Sequence, residues 1–281
     1  MPGGSCGRLR ALAVVHDRKS DDKTARGAQR KAATTLGGVV RLLVVVPSDT
    51  DPPANLGRWL RDAGCELDER HADAGDPLPE GLMAYDGLVV LGGPQSALDD
   101  EATSPELTGA RALLRQALDR DFPTLAICLG AQLLAQVGGG RVRVGVDGPE
   151  VGALLVAKRD KADHDPLFAP LPISPDVIQF HHDEISQLPN DAVLLASSPM
   201  YANQAFRVGR NVYGVQFHIE TTPEIVDEWA ERDTVGVDAS PWDEQTIKQL
   251  IRAAHPDIEE AWQPFAVRFA DLVRSRAAQA A

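Results

Sequence analysis

The chain has 281 residues, of which 43% are hydrophobic and 25% charged, enough to bury a full core and ordinary for a soluble globular protein. No apolar run approaches membrane-spanning length, and the first residues lack a signal-peptide core. The three cysteines Cys6, Cys65 and Cys128 are odd in number, widely spaced and never in Cys-x-x-Cys form, which argues against a disulfide framework or a zinc site and fits a reducing cytoplasm.

The net charge of -13 is uneven: residues 1–38 hold eight Lys/Arg against three Asp/Glu, so the remainder carries -18. An acidic body argues against nucleic-acid binding and for an enzyme of small molecules. Residues 1–38 show no sustained period and are expected to be a basic, disordered extension, with the folded protein starting near Val39. A basic arm for an acidic partner is the competing reading.

Arg41 to Val46 is a continuous apolar run, the mark of a strand buried on both faces of a parallel sheet. A helix over Asn55 to Ala63, stopped by Gly64, and a strand over Cys65 to Arg70 follow. A third strand, Gly87 to Leu91, runs into Gly92-Gly93-Pro94, where glycine lets the backbone approach a ligand or simply makes a tight turn. Ser104 to Asp119 is a helix with Leu107, Ala110, Leu113, Leu114 and Leu118 on one face. It returns to the strand Thr124 to Ile127, and this β-helix-β unit predicts a doubly wound α/β fold.

Cys128 stands where that strand meets the helix 129–137, which ends at three glycines. A cysteine at a strand-to-helix elbow projects from the sheet, and the amide hydrogens of the following helix favour its thiolate. A buried core cysteine is equally compatible with this stretch alone. Beyond it, strands over 151–157, 176–181, 192–197, 205–208 and 211–217 are expected to complete the sheet as a mostly antiparallel extension. Period two places His218 and Glu220 on one strand face, so the carboxylate can orient the ring while the ring takes the proton from sulfur. Helices are expected over 223–232, with a capping hydroxyl, and over 243–253 and 258–278. Residues 39–235 then form the main domain, with the helices of 236–281 packed on it.

Three ordered motifs, Gly92-Gly93-Pro94, Cys128-Leu129-Gly130-Ala131-Gln132 and Gln216-Phe217-His218-Ile219-Glu220, make the chain resemble the class I, triad-type glutamine amidotransferases, in particular the stand-alone amidotransferase part of GMP synthase. The resemblance runs from about Arg41 to Ala230. It implies a flavodoxin-like fold and glutamine as substrate. Cys128 would be the nucleophile, His218 the base and Glu220 its orienting partner, with the amides of Gly93 and Leu129 as oxyanion hole. Gln132 matches a position that helps to seat glutamine, and His182 and Asp183 match a loop that holds its amino-acid end. Two departures stand out: Ala126 replaces a customary glycine two residues before the nucleophile, and Ile219 a customary proline.

No cofactor or metal is implied; His181, His182 and Asp183 would point to opposite strand faces and make a poor metal set. The chain contains neither a Gly-x-x-x-x-Gly-Lys-Ser/Thr nor a Ser-Gly-Gly-x-Asp-Ser loop, so ammonia would pass to a separate synthase partner or be released. The alternatives are a γ-glutamyl hydrolase acting on a larger leaving group, and a glutamine-binding regulatory subunit without turnover.

Overall fold

In the computed structural model, residues 39–280 are described; the extension expected over residues 1–38 lies outside them. Val40–Val46 (β1) leads to Ala54–Asp62 (α1), Cys65–His71 (β2), Gly87–Val90 (β3), Glu106–Arg120 (α2), Thr124–Ile127 (β4) and Leu129–Val137 (α3). Short strands follow: Arg141–Val144 (β5), Glu150–Leu155 (β6), Ala157–Lys158 (β7), Asp176–His181 (β8), Asp183–Gln187 (β9), Val193–Ser197 (β10), Ala205–Val208 (β11) and Val212–Val215 (β12). Pro223–Arg232 (α4), Thr234–Ala239 (α5) and Glu244–Ala280 (α6) close the chain.

The central sheet has the order β2-β1-β3-β4-β12-β11-β10-β7. Its first five strands are parallel, and β11, β10 and β7 add antiparallel pairs at one edge. The alternation along β1 explains why the sheet is wound on both faces. Leu42, Val44 and Val46 join Trp59 of α1 and Phe265 and Phe269 of α6 in one core, while Leu43 and Val45 join Leu113 of α2 and Leu134 of α3 in the other. The expected mostly parallel sheet with an antiparallel extension is therefore the architecture observed.

Several local expectations need correction. The strands β6 and β8 pair with each other outside the central sheet, as do β5 and β9, which the sequence reading did not separate. The strand ahead of His218 ends at Val215, so His218 and Glu220 do not share a strand face. Thr222 stands at the N-cap of α4 without the expected side-chain hydrogen bond to the backbone, and Pro223 occupies the first turn.

The two expected C-terminal helices are one. Pro256 and Pro264 lie inside α6, where a proline ordinarily costs about 3 kcal/mol. The helix continues because Ile247, Ile251, Ile258, Trp262, Phe265, Phe269 and Val273 form an unbroken buried stripe against the sheet. Trp262 sits at its centre, in contact with Phe168, Phe217 and Phe265, and donates its indole N–H to Asp176 O at 2.9 Å.

Candidate active site

The nucleophile candidate is placed by backbone strain. Cys128 has φ 50° and ψ -110°, a conformation an L-residue adopts at a cost of about 1–3 kcal/mol. Two contacts hold it there: its N–H donates to Val215 O at 2.8 Å, and its carbonyl accepts the N–H of Gln132 at 2.9 Å. The tight turn also needs Gly130, since a Cβ there would stand 2.3 Å from Val90 O. Gly130→Ala is accordingly expected to destabilise the fold by about 3 kcal/mol, read from chemical denaturation, because the obstacle is backbone and cannot rotate away. Ala126, at the family's other glycine position, is fully buried between Val90 and Gly214 in the sheet register, and its methyl group fits.

His218 is brought to the sulfur by a bridge. Its N–H donates to Ile178 O at 2.8 Å and its carbonyl accepts the Ile178 N–H at 3.2 Å, so β8 pins the segment after β12 has ended. The ring lies against Trp229, centroids 4.6 Å apart. Nδ1 is 2.6 Å from Glu220 Oε1, and the other oxygen, Oε2, accepts the N–H of Ile219 at 2.9 Å. That second bond exists because Ile219 replaces a proline, which would have no N–H to give. Asn55 N–H donates to Glu220 O at 2.8 Å and anchors the end of the segment to α1.

Burial of the His218 ring disfavours its cation. The Glu220 carboxylate first, and then the Cys128 sulfur beside the ring, overcome this and hold its pKa well above the ordinary histidine range. With Nδ1 on Glu220, the nitrogen facing Cys128 is Nε2. Gln216 also directs its side-chain amide at the sulfur, 3.8 Å away.

A cavity of about 400 Å³ opens over Cys128 and is lined by Gly93, Leu129, Gln132, His182, Asp183 and His218. Every residue named from the sequence therefore meets at one place, Glu220 being buried behind His218. Leu129 is the first residue of α3, so its N–H has no acceptor within the helix. Gln132 donates to Asp183 O at 3.2 Å and to Gln216 Oε1 at 3.3 Å. The Asp183 carboxylate accepts the hydroxyl of Ser96 at 2.6 Å.

The neighbouring histidines diverge as strand geometry requires. His181 turns inward to Glu150 Oε2 at 3.2 Å, while His182 stays on the rim, 2.5 Å from Asp233 Oδ2. Among the described residues no group of three or more His, Cys, Asp or Glu could hold a metal ion. No helix among them is long and apolar enough to cross a membrane.

Asp51, Trp229, Arg232 and Asp233, which no sequence motif singles out, also line the cavity. Asp51 could have been found from topology, since loops at the carboxyl ends of parallel strands converge on the site of such a sheet. The residues of α4 and α5 gave no comparable signal.

The family model for "Glutamine amidotransferase class-I" matches residues 53–233. The chain belongs to the class-I glutamine amidotransferase family. It is 37% identical over 164 residues to one of the subunits of the glutamine-hydrolyzing GMP synthase of Natronomonas pharaonis, covering 58% of this chain and 79% of that one. Gamma-glutamyl peptidase 4 of Arabidopsis thaliana is 27% identical over 213 residues, covering 75% and 83%. A solved glutamine amidotransferase of Thermotoga maritima superposes with a TM-score of 0.74 at 26% identity, covering 83% of this chain and 99% of that one.

Proposed function

We propose that the protein hydrolyses the side-chain amide of glutamine through a cysteinyl thioester and releases ammonia. The observation that carries this reading is the buried Cys128, His218 and Glu220 set at the floor of an open cavity. Sulfur attacks the amide carbon, and the amide N–H groups of Gly93 and Leu129 receive the oxyanion. His218 Nε2 gives its proton to the leaving nitrogen as the C–N bond breaks and ammonia departs. Water, deprotonated by the same nitrogen, then cleaves the thioester to glutamate and restores the thiol.

Gln132, Asp183 and His182 line the space left for the amino-acid end of the substrate, where Asp183 can accept from an ammonium group. Likeness to a GMP synthase subunit supports a separate synthase as the recipient of ammonia. Cys65 and Cys128 are both free thiols, which supports a reducing, cytoplasmic setting.

A second reading, γ-glutamyl hydrolysis with a larger amine or peptide leaving group, is favoured by the long alignment with a gamma-glutamyl peptidase and by the size of the cavity. The two are separated by comparing kcat/KM for glutamine and for γ-glutamyl dipeptides, with and without candidate synthases. Ammonia release from glutamine at the higher kcat/KM supports the amidotransferase; preference for the dipeptide supports the hydrolase. Turnover of neither overturns both.

A further inference from the structure

The loop after β1 supplies a carboxylate that the triad scheme leaves unused. Asp51 is 7% exposed and lines the catalytic cavity. Its position relative to the triad is given by Gly92. A Cβ on that glycine would meet Asp51 Oδ1 at 2.9 Å, His218 Cε1 at 3.0 Å and Cys128 Cβ at 3.5 Å, so all three side chains close on one point. Oδ1 and Cε1 are thus the atoms of Asp51 and His218 nearest that point, and Cε1 lies on the ring edge between the nitrogen bound to Glu220 and the other nitrogen. That edge carries part of the positive charge of an imidazolium.

The carboxylate is held in place. Oδ2 accepts the Thr50 hydroxyl at 2.6 Å, Thr50 Oγ1 lies 2.8 Å from Ser48 Oγ, and the Asp51 N–H donates to Ser48 O at 3.1 Å. Trp229, whose ring packs at a tilt against His218, donates its indole N–H to Thr50 O at 2.8 Å, so loop and ring are braced by one side chain.

We propose that Asp51 is a positioning residue for the Cys128–His218 pair, a second carboxylate that stabilises the imidazolium from the ring edge Glu220 does not reach. The inference rests on the hydrolytic reading above. Burial raises the Asp51 pKa to about 6; His218 and the Thr50 hydrogen bond work against that rise, and Glu220 and Asp49 add to it. The other charged or titratable groups lining the cavity are His181 at the end of β8, His182 next to it, Asp183 on β9, Arg232 on α4 and Asp233 at the α4–α5 junction. As the pH falls through about 6, Asp51 takes up a proton, its support for the imidazolium ends, and the ion pair weakens.

The test is a pH titration of the Cys128 thiolate by ultraviolet absorbance, taken as the difference from Cys128→Ala so that Cys6 and Cys65 cancel. It is run on the full chain and on Asp51→Asn, with kcat/KM for glutamine measured alongside. The unsubstituted protein is expected to lose thiolate and activity together in a step near pH 6. Asp51→Asn is expected to lack that step and to show roughly a tenfold smaller thiolate-to-thiol ratio at neutral pH, the effect of about one pKa unit. Thr50→Val, which removes a bond favouring ionised Asp51, should move the step to higher pH, a displacement that a purely structural role would not produce.

Superimposable titrations of the unsubstituted and Asp51→Asn proteins, with hydrolysis intact, would overturn the role of Asp51 and leave the hydrolase reading standing. Absence of any Cys128-dependent thiolate and of turnover in the unsubstituted protein would overturn both.

Discussion

Cys128→Ala is expected to lower ammonia release from glutamine by at least about 10³-fold while leaving the thermal unfolding midpoint within a few degrees. The activity loss is large because, in the proposed mechanism, the sulfur carries the glutamyl group; without it, water must attack an unactivated amide. The stability change is small because alanine keeps the backbone at φ 50° with the same two hydrogen bonds, to Val215 and from Gln132, and removes one atom from a residue that is already 6% exposed to the cavity. A diazo-ketone analogue of glutamine should label the parent chain at Cys128 and leave the variant unmodified by mass spectrometry. Retention of ammonia release by the variant would show that the nucleophile lies elsewhere.

The elbow was legible in the sequence because its signals are local. An apolar run of strand length, one cysteine and a small-residue turn into a helix leave little choice of geometry, and Gly130 makes the close approach to Val90. The pairing of His218 with Glu220 was also expected, though by a geometry that does not hold: the strand stops at Val215, and it is a bridge to Ile178, 40 residues earlier in the chain, that holds the segment. Only tertiary pairing carries that information.

The same limit applies to Asp51. A loop aspartate is ordinarily solvated, and this one is buried because Trp229 of α4 closes over the loop and bonds to Thr50 O. In α6 the local rule was overridden: Pro256 argues for a break, and the buried stripe from Ile247 to Val273 outweighs it. The separate pairings β6 with β8 and β5 with β9 escaped for a third reason. Short strands state their burial and not their partner, and these two ladders are set by how the segment between α3 and β10 folds back beside the catalytic cavity.

Glu220→Gln is expected to reduce kcat by about 10²–10⁴-fold with little change in KM, because a carboxamide cannot satisfy both of the contacts the carboxylate makes. In the parent chain Oε1 accepts the proton on His218 Nδ1 and Oε2 accepts the N–H of Ile219. A glutamine that turns its oxygen to His218 places its NH₂ against the Ile219 N–H, donor against donor in a buried site. Turned the other way, it satisfies Ile219 and donates to Nδ1, which forces the ring proton onto Nε2 and removes the base that faces sulfur. Either outcome also withdraws the negative charge that sustains the high His218 pKa, so the imidazolium should titrate at lower pH in the variant. Nitrogen chemical shifts of His218 across pH would read both the tautomer and the titration. Ile219→Pro combined with Glu220→Gln should recover part of the lost activity, since proline removes the competing donor and frees the carboxamide to offer its oxygen to His218. A double variant no better than Glu220→Gln would place the cost in the missing charge and not in the donor conflict.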